Sequence, residues 1–424
     1  MSTVPTPEKH VFDKYQIFVI AILAFTQFSV VLDFMVLSPL GALVMKNLTI
    51  TTSEFGQVVA AYAFSAFMSG LLAAGFADKF DRKKILLFFY IGFVAGTFLC
   101  GIAPDYQFLL VARIVTGIFG GVISSISFAI VTDLFSMQVR GRVMGFTQMS
   151  FAASQVLGIP VGLLLANHFD WHAPFLLIVG FSILVVFAIA FYMKPITDHL
   201  KIKSDRNPVE HLIRTVSKKE YLKGFLATAL LATGGFMLMP FASDFSIHNL
   251  GLTQEQLPTL YMITGMFSVV CGPLIGKYSD KIGAYKIFFI GSFVSILVVA
   301  FYTRLGITPY WIIQTVNVVL FVAVASRIIS SSALMSAVPD PQDRGAFMSI
   351  NSSVQQFAGG MAAILAGKIV TKTPSGRLEN YDILGYVVIV ATIITMGMMY
   401  LIHLQVSKKK KLNVQPPIVP VTES

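Results

Sequence analysis

The sequence predicts an all-α integral membrane protein of twelve transmembrane helices, arranged as two pseudo-symmetric halves of six. Three observations carry that expectation. Apolar residues make up 55% of the 424 and charged residues only 12%, against about 25% charged in soluble domains. The apolar residues gather into long runs, and a bilayer core of about 30 Å needs roughly 20 of them per helix. Charged and turn residues also recur at a nearly fixed offset between the two halves of the chain.

Taken in order, apolar runs and their breakers place spans near 16–40, 55–77, 85–103, 107–131, 143–167 and 172–193. After a charged stretch come 222–246, 257–279, 286–304, 308–337, 346–371 and 382–404. The first apolar run is too long for a secretory signal and reads as a retained helix. The organisation expected is a first half over 1–193, an inner linker over 194–222, a second half over 223–404 and a basic tail over 405–424. With the termini placed inside, 24 of the 31 Lys and Arg residues fall in inner segments, five in outer ones, and Arg113 and Arg327 within spans. That asymmetry predicts cytoplasmic termini, with Lys408–Lys411 against anionic headgroups or acting as a simple stop-transfer flank. It also removes the case for nucleic acid that a net charge of +10 would otherwise make. Cys100 and Cys271 lie in separate apolar segments, so neither a disulfide framework nor a thiolate metal site is expected.

The repeat is specific. Asn47-Leu48 matches Asn249-Leu250, Asp78 matches Asp280 and Lys84 matches Lys286, each 202 residues apart, while Pro39 and Pro240 differ by 201. Arg140-Gly141 echoes Arg344-Gly345. Two halves of like orientation joined by an inner loop are the layout of parallel-repeat transporters, whose solute site lies between the halves near the midplane.

Several motifs then resemble those of the major facilitator superfamily. The loop after the second span reads Ala74-Gly75-Phe76-Ala77-Asp78-Lys79-Phe80-Asp81-Arg82-Lys83-Lys84, similar to the family's G-x-L-A-D-R-x-G-R-R/K signature. Ala74 and Asp81 replace its two glycines. A second copy, Gly276-Lys277-Tyr278-Ser279-Asp280-Lys281-Ile282-Gly283, keeps both. Arg113-Ile114-Val115-Thr116-Gly117 resembles the R-x-x-x-G element, and Gly158-Ile159-Pro160-Val161-Gly162 the antiporter G-x-P-x-G element. Trp171-His172-Ala173-Pro174-Phe175 fits the drug:proton antiporter branch, which includes sugar-efflux-like members. The resemblance covers nearly the whole chain. It implies the major facilitator fold, a bacterial inner-membrane protein working as a monomer without cofactor, and gating roles for Asp78, Arg82, Asp280, Gly158, Pro160 and Gly162. Asp78 and Asp280 would each meet the positive N-terminus of a helix in the opposite half.

Ionisable residues inside a bilayer are costly and usually functional. Asp33 and Arg113 fall at similar depth, about 10 Å below the outer boundary at 1.5 Å per residue. They are expected to face the cavity of the first half and to interact directly or through water. Asp33 is the candidate proton carrier, since burial and the Arg113 charge act on its proton in opposite senses; a static ion pair fixing two helices is the other reading. Arg327, deep in the tenth span with no acid at its depth, is the candidate substrate-facing cation, or else snorkels to the interface. Asn317, Asn351, Gln355 and Gln356 supply polar groups near it; Gln27, Gln148 and Gln155 could line the cavity, but helix–helix hydrogen bonding explains them about as well. The expected function is proton-coupled efflux of a small organic solute. A proton-coupled uptake symporter for a sugar or organic anion keeps the same fold, and a non-transporting sensor remains open. A membrane acyltransferase is disfavoured because no His-x-x-x-x-Asp pair occurs.

Overall fold

The computed structural model describes residues 12–76, 80–136, 139, 143–144, 146–147, 149–150, 153–201, 214–340 and 343–414. The first half holds α1 (Lys14–Val36), the short α2 (Gly41–Asn47), α3 (Thr52–Phe76), α4 (Arg82–Cys100), α5 (Tyr106–Leu134), α6 (Ile159–His168) and α7 (Ala173–Tyr192). The second holds α8 (Lys219–Leu238), the short α9 (Ala242–His248), α10 (Gln256–Ile282), α11 (Ala284–Tyr302), α12 (Tyr310–Ser336), α13 (Arg344–Ile369) and α14 (Tyr381–Val414). Ten helices among the described residues are long and apolar enough to cross a bilayer. The remaining two spans are the fifth, described in part and ending in α6, and the eleventh, α13, a 26-residue helix rich in Ser, Gly and Gln.

Spans one and seven are broken where continuous helices were expected. Proline has no N–H to donate and its ring crowds the preceding turn. At Pro39 the chain turns between α1 and α2; at Pro240 a 3₁₀ turn, Met239–Phe241, separates α8 from α9. The two short helices stand 201 residues apart and meet each other, so the sequence repeat is a structural one. The last span also runs longer than its apolar run, to Val414.

The two copies of the loop motif turn differently. Gly283, joining α10 to α11, has φ 109°, a conformation that favours glycine. Asp81, at the matching place, keeps φ −55° and instead caps α4, accepting from the Lys83 N–H at 2.9 Å. The same carboxylate oxygen accepts from the Ile196 N–H at 2.9 Å, which ties the start of the linker to the first half.

Buried apolar side chains show how the halves meet. At the end away from the termini, one core is shared by Val36, Leu40, Phe55 and Leu163 of the first half and by Leu238, Phe241, Phe245 and Ala363 of the second. Thr52 Oγ1 donates to the Gly367 and Val370 carbonyls at 3.2 and 2.6 Å, which fastens α3 to α13 there. At the end carrying the termini, the described residues form two separate cores. One contains Val19, Leu86, Ile130 and Ile196, the other Phe225, Phe288, Phe347 and Met399. The far end is therefore closed, and among the described residues the halves keep separate cores toward the other end.

A short hairpin covers the closed end. β1 (Thr371–Lys372) pairs antiparallel with β2 (Leu378–Glu379). Asn249 holds it by donating to the Leu378 carbonyl at 2.8 Å and accepting from the Leu378 N–H at 2.9 Å. Lys372 Nζ reaches both oxygens of the buried Asp244 carboxylate on α9, at 3.0 and 3.1 Å.

Candidate functional site: a buried charge cluster beneath a closed gate

In the first half, α1 brings Asp33, α4 brings Thr97, α5 brings Arg113 and α3 brings Tyr62 to one point. Gly117 makes this possible: a Cβ there would lie 2.0 Å from Ser65 Oγ and 2.5 Å from the Tyr62 carbonyl. Its absence lets α5 press onto α3. Arg113 Nη1 then lies 2.7 Å from Asp33 Oδ2, and Thr97 Oγ1 donates to Asp33 Oδ1 at 3.1 Å. The guanidinium carbon stands 4.6 Å from the centre of the Tyr62 ring, a cation–π arrangement that gains strength when desolvated. Thr116 uses its hydroxyl on the Ala112 carbonyl at 2.7 Å and meets Cys100 Sγ at 3.7 Å. Both charged side chains are buried, with relative exposures of 1% and 0%, so in this state the pair does not face an open cavity as expected from sequence.

Aromatic contacts lead from the pair to the other half. Tyr62 lies 5.2 Å from Phe34, and Phe34 lies 5.7 Å from Phe236 of α8, centre to centre. Phe236 in turn packs where Gly359 of α13 leaves room, 3.0 Å from the Cβ position. Tyr62, Thr97, Phe34 and Phe236 were absent from the sequence-derived site. The signal available for Tyr62 was the stripe Tyr62, Ser65, Ser69 at helical spacing; the role of two phenylalanines among 37 had none.

The remaining candidate residues divide. Gln27 and Ser124 exchange hydrogen bonds of 2.9 and 3.1 Å between α1 and α5. Gln148 lies outside the described residues. Gln155 lies in a π-helical turn, Ser154–Gly158, and its carbonyl comes within 3.2 Å of the Cβ position of Gly265 on α10, across the interface between halves. Asn351 accepts from Thr228 Oγ1 at 2.6 Å; Gln355 is exposed, Gln356 half-buried and Asn317 buried. Arg327 departs from expectation. It neither snorkels nor faces the space between halves: it is 3% exposed, and its Nη1 donates to Ser295 of α11 at 3.4 Å within its own half.

The residues expected to gate are likewise mixed. Gly158 and Gly162 pack on α1, where Cβ atoms would meet Leu32 at 2.5 Å and Val36 at 2.9 Å. Pro160 stands at the second position of α6, just past the π turn that ends at Gly158, where its missing donor costs least. Arg82 Nε pairs with Asp133 Oδ2 at 2.9 Å, joining α4 to α5 within the first half. Asp78 lies outside the described residues, and Asp280 stands in the last turn of α10 with its side chain outside the description.

The Major Facilitator Superfamily profile matches residues 23–363. The chain belongs to that superfamily. Among curated relatives, this facilitator is 30% identical to an uncharacterized MFS-type transporter, YceJ, of Bacillus subtilis (strain 168), over 60% of the chain and 65% of that protein. It is 36% identical to multidrug resistance protein 3 of the same organism over 36% of the chain and 30% of that protein, so the chain spans less than two thirds of either. A probable sugar efflux transporter of Helicobacter acinonychis (strain Sheeba) is 21% identical over 56% of the chain and 60% of its own length. A bacterial homolog of the human lysosomal transporter Spinster, solved in an inward-facing, occupied conformation, shares the fold with TM-score 0.70 at 14% identity, covering 96% of this chain and all of that one. The nucleoside transporter NupG does so with TM-score 0.72 at 13% identity, over 91% and 98% of the two chains. The major facilitator fold is therefore the frame within which the cluster has to be understood.

Proposed function

We propose that this facilitator exports a small organic solute by alternating access and that Asp33, with Arg113, couples export to protons. The observation that carries the reading is the continuous path from ion pair to gate: Asp33, Arg113, Tyr62, Phe34, Phe236. Protonating Asp33 removes the charge that holds Arg113. The guanidinium is then free to leave the Tyr62 face, which loosens the Phe34–Phe236 contact between halves. A ligand or proton shifts such an equilibrium only through a difference in affinity for the two states, and a carboxylate paired in one state and open in the other has that difference. The names of multidrug and sugar-efflux relatives favour export.

The solute would sit between the halves below the aromatic gate, against Gln27, Gln155, Asn351, Gln355 and Gln356. The halves over 1–193 and 223–404 would rock about the linker, with the termini in the cytoplasm as the Lys/Arg asymmetry favours. The closed far end then makes the structure inward-facing. Reconstitution in vesicles tests coupling: Asp33→Asn is expected to abolish proton-driven solute movement while solute exchange continues. Full proton-driven transport by Asp33→Asn overturns the coupling role. In everted vesicles, accumulation on imposing an inside-acid gradient signifies export, whereas solute exit signifies the uptake symporter.

A further inference from the structure

Arg327 carries its charge into the interior of the second half, and the described residues there offer no countercharge. Among the described residues Nη1 has only the Ser295 hydroxyl, and Nε and Nη2 are buried without a partner. Two more buried groups are unpaired nearby: Ser330, one turn after Arg327 on α12, and Ser292, one turn before Ser295 on α11. The acid on α9, Asp244, is already taken by Lys372 and His248. A buried guanidinium without a compensating charge is among the least favourable arrangements a protein interior can hold.

The internal repeat shows what is missing and where. The 201-residue offset that carries Pro39 onto Pro240 carries Asp33 onto Gly234. A Cβ at 234 would lie 3.6 Å from Arg327 Nη2, 3.9 Å from Nη1 and 3.8 Å from Val388 on α14, with nothing nearer. In the first half this position gives a carboxylate to an arginine; in the second it gives only the absence of a side chain. Guanidinium N–H groups and hydroxyls are all able to donate to an anion.

We infer that Arg327, Ser292, Ser295 and Ser330 form a binding site beside Gly234 for a small monovalent anion of halide size, drawn from the medium. The neighbours of the guanidinium lie on α8, α11 and α14 of its own half. The test needs neither solute nor proton gradient. Replacing gluconate by chloride at constant ionic strength is expected to raise the Tm of the purified protein by about 3 °C. Gly234→Asp supplies the carboxylate covalently and is expected to abolish the chloride response, as is Arg327→Met. A wild-type Tm indifferent to chloride, or a response that persists in both variants, overturns the site. Where Gly234→Asp fails to fold, wild-type crystals grown in bromide decide: anomalous density beside Arg327 supports the inference, and its absence there refutes it.

Discussion

Asp33 and Arg113 are close enough, at 2.7 Å, and buried enough that neither is separable from the other. Removing one partner of a buried pair leaves an uncompensated charge and costs about 3–5 kcal/mol, whereas replacing both with neutral groups is often nearly neutral. Arg113→Gln alone is therefore expected to lower thermal stability in detergent more than the double variant Asp33→Asn with Arg113→Gln. Equal losses in the two would show that the charges do not stabilise one another. The sequence located these two residues because charge inside an apolar run is rare. It misplaced Arg327, because periodicity does not say which side of a helix faces the partner half and which faces its own bundle; Ser295 and Gly234 settle that only once α8, α11 and α12 are packed.

At the scale of the element, close approach decides position. Gly117 brings α5 onto α3, so Gly117→Val must push against the Tyr62 backbone. Overpacking of this kind costs about 1–3 kcal/mol, and it should separate Arg113 from the Tyr62 ring, seen as reduced transport together with lower Tm. The C-terminal extension of α14 responds to pH instead. Lys409 Nζ lies 2.5 Å from Asp340 Oδ1, and its hydrogen bond holds the Asp340 carboxyl below the usual carboxylate range. The contact is present above that range and is lost as pH falls through the depressed value. Lys218, raised by its hydrogen bond to Asp343, behaves oppositely: its contact is complete at neutral pH and lost as pH rises beyond the usual lysine range. Amide exchange over residues 405–414, corrected for intrinsic rates, should accelerate on acidification in the wild type but be fast throughout in Asp340→Asn. The extension itself was hidden in sequence, since Lys408–Lys411 ends the apolar run but has high helix propensity and simply continues the helix into water.

For the whole molecule, one shared core at the far end against two separate cores at the other defines a state that can be trapped. Cysteines replacing Thr52 and Val370, which touch through a 2.6 Å hydrogen bond, are expected to cross-link and stop transport, with reduction restoring it and solute binding from the terminal side retained. Undiminished transport in the cross-linked protein would mean that the halves do not separate at that end. The twelve spans and their two-fold repeat were readable because burial in lipid leaves long apolar runs and because turn residues survive at corresponding places. Breaks at Pro39 and Pro240 were visible as residues but not as breaks, for the apolar run continues through both. The β-hairpin, two residues per strand, is too short for any periodicity.

That hairpin has a practical consequence. It is an ordered projection clasped to α9, and α9 abuts α2 of the opposite half at the closed end. A nanobody recognising the hairpin together with α2 would bind one conformation and not the other. Such a reagent would double as a rigid marker for image alignment and as an inhibitor acting without entering the solute path.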